Sequence, residues 1–204
     1  MNQTLILFTR NPEMGKGKRR LAARVGDQAA YDIYCFLLEH TLEITKELNV
    51  EKQVWYSEEV PEKDIWPESL YEKKQQSGAD LGARMELALK EALKNGGKAI
   101  VIGSDLYDIA TADLQTAFDK LDHYDAVIGP AQDGGYYLIG FKDHIPPGVF
   151  ENKDWGTNTV LQETLADLKN INYFQLPERN DVDYYEDIKD IDAFQPFLKH
   201  IHAN

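Results

Sequence analysis

Cysteine is nearly absent from this chain. Cys35 is the only one in 204 residues, which excludes an internal disulfide and any cysteine-based zinc cluster. Its neighbours Tyr34, Phe36 and Leu37 are apolar, so a buried, inert thiol is expected there and not a nucleophile. Positive charge is scarce as well. Lys and Arg number 22 against 35 Asp and Glu, a net charge of −13, which argues against non-specific binding to nucleic acid or to an anionic membrane. Long apolar runs are missing too. Leu5-Ile6-Leu7-Phe8 is too short for a signal peptide or a membrane span, and no later stretch approaches spanning length, so a cytoplasmic protein is expected. The five histidines show no metal-ligand spacing.

What is present is an alternation of short apolar runs with longer amphipathic stretches. Strands are expected at residues 5–9, 51–57, 99–102, 125–129, 135–141 and 173–176. Helices are expected at about 28–48, 80–93, 111–121 and 158–168, with 184–198 largely helical and 61–72 irregular or a short helix. This order predicts an α/β fold of three layers, α/β/α, with a mostly parallel mixed sheet covered on both faces. No internal repeat or linker interrupts it, so one domain over residues 1–204 is expected.

The chemistry is concentrated where strands end. Gly103-Ser104-Asp105 follows the apolar run Ala99–Ile102, and the carboxyl end of a buried parallel strand is where open α/β sheets collect ligands. Asp105 there either binds a hard cation such as Mg²⁺ or caps the helix beginning near Ala110. The first strand runs into Gly15-Lys16-Gly17-Lys18-Arg19-Arg20, four cations within five residues of an acidic protein. It is neither a Walker A loop nor a dinucleotide turn. It is either a solvated charged loop or a phosphate cradle, and its place at a strand end favours phosphate.

Gly129-Pro130-Ala131-Gln132-Asp133-Gly134-Gly135-Tyr136-Tyr137 separates two apolar runs. It can be a hairpin turn, or a loop that admits a ligand near Gly134 and Gly135 and presents Asp133 to it as a base, a hydroxyl partner or an aid to a metal. In Asp181-Val182-Asp183 the two acids would face one side if extended, and so one cation; the alternative is N-capping near Tyr184. A haloacid-dehalogenase-type phosphatase also uses Asp-x-Asp, but on its first strand, which here carries Leu7-Phe8-Thr9-Arg10. Asp80 reads as a helix cap, and Arg84, one turn later, could reach it or an anionic ligand. Trp155, in Trp155-Gly156-Thr157, either stacks on a base or sugar or packs within its loop.

Taken together these segments resemble the bacterial glycosyltransferase-like proteins described as radical-SAM/selenodomain-associated family A, within the nucleotide-diphospho-sugar transferase superfamily of the GT-A fold. The likeness runs from Leu5 to about Ile188, and Gly129–Gly140 is its most specific part. It implies a transferase using a nucleotide-activated donor, with a nucleoside-diphosphate sugar as the first choice. Nucleotidylyl transfer with release of pyrophosphate, or nucleotide binding without turnover, are the alternatives.

The resemblance implies a divalent metal, Mg²⁺ or Mn²⁺, on Asp105 and Asp183; together with the residue reading above, Asp105 and Asp133 are the expected catalytic carboxylates. Phosphate or nucleotide would meet Gly15, Lys16, Lys18, Arg20, Arg84 and Ser104. Substrate would meet Gly134, Gly135, Trp155 and Thr157. The expected partners are a nucleotide or nucleotide sugar and a separate acceptor, with room for a homo-oligomer. The chain departs from the family pattern at Arg19, where threonine is usual, and at Tyr107 and Tyr184-Tyr185, where prolines are usual. Loss of the prolines predicts looser turns behind Asp105 and Asp183.

Overall fold

A computed structural model describes residues 2–202; Met1, Ala203 and Asn204, at the ends of the expected domain, lie outside the described residues. Seven strands form one sheet: β1 (Gln3–Thr9), β2 (Glu51–Tyr56), β3 (Glu72–Gln75), β4 (Lys98–Gly103), β5 (Ala126–Pro130), β6 (Tyr136–Lys142) and β7 (Tyr173–Gln175). Their order is β3-β2-β1-β4-β6-β5-β7. β6 pairs antiparallel with both β4 and β5, and every other pairing is parallel. The sheet is therefore mixed and mostly parallel, as the sequence predicts.

Alternation along β1 shows why both faces must be covered. Leu5 and Leu7 point into a core built with α2 (Asp27–Lys46) and α4 (Thr111–Lys120), through Tyr34, Leu38, Leu114 and Phe118. Ile6, between them, faces Met85 and Leu89 of α3 (Leu81–Ala92) and residues 149 and 150. All three β1 side chains are fully buried, as a strand sandwiched between helical layers requires. A third core joins Leu21 and Val25 of α1 (Arg19–Val25), Ile33 and Leu37 of α2, and Val182, Ile188, Phe194 and Leu198 near the C terminus. That core ties residues 181–183 to the loop after β1.

Three regions differ from the sequence expectations. β3 (Glu-Lys-Lys-Gln) lies in the stretch after the irregular 61–72 segment, and its side chains carry no apolar alternation; charged side chains on an edge strand discourage pairing with other chains. α1 begins inside the basic run, and Gly26 at φ 85° separates it from α2. Residues 184–198 hold two short 3₁₀ turns before a last helix, α6 (Gln195–His202), in place of one long helix; α5 spans Val160–Asp167. Cys35 is half-buried, not fully buried as expected.

Candidate active site at the carboxyl ends of β1 and β4

Asp105 stands two residues beyond β4. Gly103 makes room for its carboxylate: a Cβ at position 103 would come 2.7 Å from Asp105 Oδ1. The segment after β7 runs back alongside this strand end. Arg179 N–H donates to Pro130 O at 3.0 Å, and Val182 N–H donates to Asp105 O at 3.1 Å. Leu106 and Asp181 form a single antiparallel bridge. With Val182 buried in the third core, Asp181 and Asp183 project together to the other side, as extended backbone dictates.

The result is a cluster of Asp105, Asp181 and Asp183, each offering a carboxylate oxygen, with these oxygens within 4.8 Å of one another. Lys18 enters it from the start of α1. Its Nζ donates to Asp105 Oδ2 at 3.0 Å and to Asp183 Oδ1 at 3.0 Å, with only 7 % of the side chain exposed. Arg20 donates to the other Asp183 oxygen at 3.2 Å and lies over the Tyr184 ring.

The charges shift one another in opposite directions. Burial would raise the Asp105 carboxyl, but the Lys18 ammonium outweighs it and holds the group below the usual carboxylate range. Burial would lower Lys18, and Asp105 and Asp183 together hold it above its ordinary value. Asp181 has no such cationic partner at hydrogen-bond distance among the described residues. Burial, then the charges of Asp105, Asp183 and Asp133, push its carboxyl up to about 6. A raised acid costs folding stability above its pKa and costs nothing once both states are protonated. In metal-free protein Asp181→Asn should therefore stabilise by about 1–2 kcal/mol at neutral pH, allowing for solvent screening of a half-exposed group. The gain should fade as pH falls from 6 toward 4, which denaturant titrations in EDTA at two pH values would reveal.

The capping alternatives fall to other residues. Asp113 Oδ2 accepts from Ala110 N–H at the start of α4, and Asp187 Oδ2 accepts from the N–H groups of Asp183 and Tyr184. Asp80 caps α3 by accepting from Ala83 N–H at 2.8 Å. The turns behind the acids are braced in place of prolines. Tyr107 packs among Phe36, His40 and Phe194, with ring centroids 4.9–5.8 Å apart, and Asp187 closes the turn at Tyr184. Tyr107→Ala should cost about 2 kcal/mol, less than a fully buried aromatic because the ring is half-exposed. It should also weaken divalent-cation binding, measurable by thermal unfolding with and without Mn²⁺.

A cleft of about 180 Å³ opens beside the cluster, bordered by Gly103, Asp105, Asp181, Asp133, Tyr136 and Trp155 among others. β5 and β6 do form a hairpin, and its five-residue loop is one wall of this cleft. Asp133 Oδ1 accepts from Gly135 N–H at 2.8 Å. Gly134 has φ 88° and sits where a Cβ would strike the Asn158 backbone. Gly135, Trp155 and Thr157 line the cleft. Trp155 is also packed, stacked near Phe150 and edge-on to Tyr136, and Thr157 Oγ donates to Asp154 O.

Other expected ligands lie apart from this cleft. Ser104 is buried, hydrogen-bonded to Thr9 Oγ1 at 3.1 Å and near Tyr34. Arg84 donates to Gly78 O and Gln76 Oε1. Lys16 is exposed and pairs with Glu13. Gly15 takes φ 76° at the turn before it.

An all-oxygen carboxylate set suits a hard divalent cation such as Mg²⁺ or Mn²⁺. A family model matches residues 41–157. The chain belongs to the family described as "Uncharacterized protein conserved in bacteria (DUF2064)". This DUF2064 chain is 33% identical to a protein from Desulfovibrio desulfuricans G20 described as a candidate nucleotide-diphospho-sugar transferase. The match covers 100% of this chain and 96% of that one, with a TM-score of 0.83. The fold alone is shared with 4-diphosphocytidyl-2C-methyl-D-erythritol synthase from Anaerococcus prevotii DSM 20548, at 11% identity, 96% coverage of each chain and TM-score 0.60. It is likewise shared with a cytidylyltransferase from Leptospira borgpetersenii serovar Hardjo-bovis, at 15% identity, 100% and 95% coverage and TM-score 0.54. No curated protein matches the DUF2064 chain. No helix among the described residues is long and apolar enough to cross a membrane.

Proposed function

We propose that this DUF2064 protein is a metal-dependent transferase that takes a glycosyl group from a nucleoside-diphosphate sugar. The observation that carries the reading is the convergence of Asp105, Asp181 and Asp183 beside Lys18 and Arg20, at adjacent strand ends of the sheet. Asp105 and Asp183, joined by Asp181, would hold Mg²⁺ or Mn²⁺. When bound, the cation supplies charge neutralisation for the departing diphosphate. Lys18 and Arg20 add positive charge on the side of the α1 start, where phosphate oxygens would lie. Asp133, which lines the same cleft, orients an acceptor hydroxyl and takes its proton. Trp155, Thr157 and the Gly134-Gly135 turn shape the acceptor side.

The finer parts of this reading are the radical-SAM/selenodomain-associated family A membership, one domain over the whole chain, and a cytoplasmic place of work. Self-association is compatible with it. The test is incubation with nucleoside-diphosphate sugars, or with nucleoside triphosphates, in Mn²⁺ or Mg²⁺, followed by assay of the released product. Free nucleoside diphosphate supports glycosyl transfer. Pyrophosphate from a triphosphate would reassign the site to nucleotidylyl transfer, and binding with no release of either would leave a nucleotide-binding protein.

A further inference from the structure

The Lys18 ammonium sits where a cation shared by Asp105 and Asp183 would sit, 3.0 Å from an oxygen of each. Its backbone is set for that placement: Lys18 holds φ 47°, ψ 45° at the entry to α1, one of three non-glycine residues with positive φ among those described. A left-handed conformation is costly for a lysine, and the side chain it directs inward is more than nine-tenths buried. The neighbouring cations have other positions. Lys16 pairs with Glu13, and Arg20 pairs with the other oxygen of Asp183, Oδ2, and lies over the Tyr184 ring. Two positive charges cannot share one pair of carboxylate oxygens without strong repulsion. A lysine stem has four rotatable carbons, so the ammonium can leave without unfolding its helix.

We infer that Lys18 is an exchangeable counter-ion: it neutralises Asp105 and Asp183 in the metal-free protein, yields them to a divalent cation, and is thereby delivered to the diphosphate. The inference rests on the metal reading above and goes beyond it. It makes filling of the metal site and arming of the phosphate site one event. Metal and nucleotide diphosphate then bind with positive coupling, because the first removes the restraint on a residue the second needs.

The experiment is amine acylation of the wild-type protein, with Lys18 and the exposed Lys16 quantified by mass spectrometry as target and internal reference. It is run in EDTA, in saturating Mn²⁺, and in Mn²⁺ with a nucleoside diphosphate, while calorimetry records Mn²⁺ binding on the same sample. Lys18 should label about tenfold faster in Mn²⁺ than in EDTA, the factor matching loss of roughly 1.4 kcal/mol of ion pairing. Adding the diphosphate should reverse this, and Lys16 should change little. If Mn²⁺ binds and Lys18 labelling stays as in EDTA, the exchange is wrong and the metal site stands. If calorimetry detects no Mn²⁺ binding, the metal reading itself fails and the exchange falls with it.

Discussion

In Lys18→Met the protein should lose about 2–3 kcal/mol of stability in EDTA, and saturating Mn²⁺ should restore most of it. Removing one side of a buried ion pair costs about 3–5 kcal/mol because the other side is left unpaired. Here the carboxylates are less buried than the lysine, with Asp105 36% and Asp183 33% exposed, so the cost should fall somewhat below that range. The variant leaves Asp105, Asp181 and Asp183 facing one another, with Arg20 as the one cation still paired with them among the described residues. At about 2–4 °C per kcal/mol for a chain of this size, the melting temperature should drop by roughly 4–12 °C. A divalent cation supplies the missing charge. Thermal unfolding in EDTA and in Mn²⁺, for wild type and variant, reads both effects. A drop that Mn²⁺ leaves untouched would mean that the carboxylates serve only to hold Lys18.

Asp105→Asn should do the reverse: little damage to the fold, and a loss of about 10²–10³-fold in metal-dependent turnover or nucleotide affinity. The amide oxygen can still accept from Lys18, and Lys18 keeps its full ion pair with Asp183, so the stability cost should stay near 1 kcal/mol. The charge that a cation needs is gone. Steady-state kinetics under the released-diphosphate assay, or calorimetry in the absence of an acceptor, would measure it. The two variants would separate the two roles proposed for the cluster: charge balance by Lys18 in the metal-free state, and cation binding through Asp105.

Much of this site was readable in the chain before its coordinates. Asp105 at the end of an apolar strand, the basic loop at the end of another, and the paired acids around Val182 all follow from strand position and period-2 alternation. The expected metal pair, Asp105 and Asp183, gains Asp181 as a third carboxylate in the structure, at the position its spacing allowed. What local pattern could not carry was the partner of each charge. Four cations occur within five residues, and only the packing of α1 on α2 and on residues 182–198 selects Lys18 for the interior. Ser104 shares a strand end with Asp105 yet turns into the core toward Thr9, 95 residues away in sequence.

The turns behind the acids carry the same lesson. Tyr107 and Tyr184-Tyr185 read as losses of rigidity because a missing proline is visible locally. Their replacements come from elsewhere in the chain. Phe36 and His40 of α2 and Phe194 near the C terminus enclose Tyr107, and Asp187 fastens the backbone of Asp183 and Tyr184. β3 is hidden in the sequence for a different reason. An edge strand of Glu, Lys, Lys and Gln has no buried face to pattern, so its pairing with β2 is fixed by the sheet and not by its own side chains.

The proposed function requires that Asp105, Asp181 and Asp183 form a cation site serving a nucleotide. Calorimetric titration with uridine, cytidine, guanosine and adenosine diphosphates, with and without Mn²⁺, for wild type and Asp105→Asn, tests it most directly. The account predicts binding of at least one nucleotide that requires Mn²⁺ and disappears in the variant. Nucleotide binding that is indifferent to both the metal and the substitution, or no binding across the panel, would contradict it.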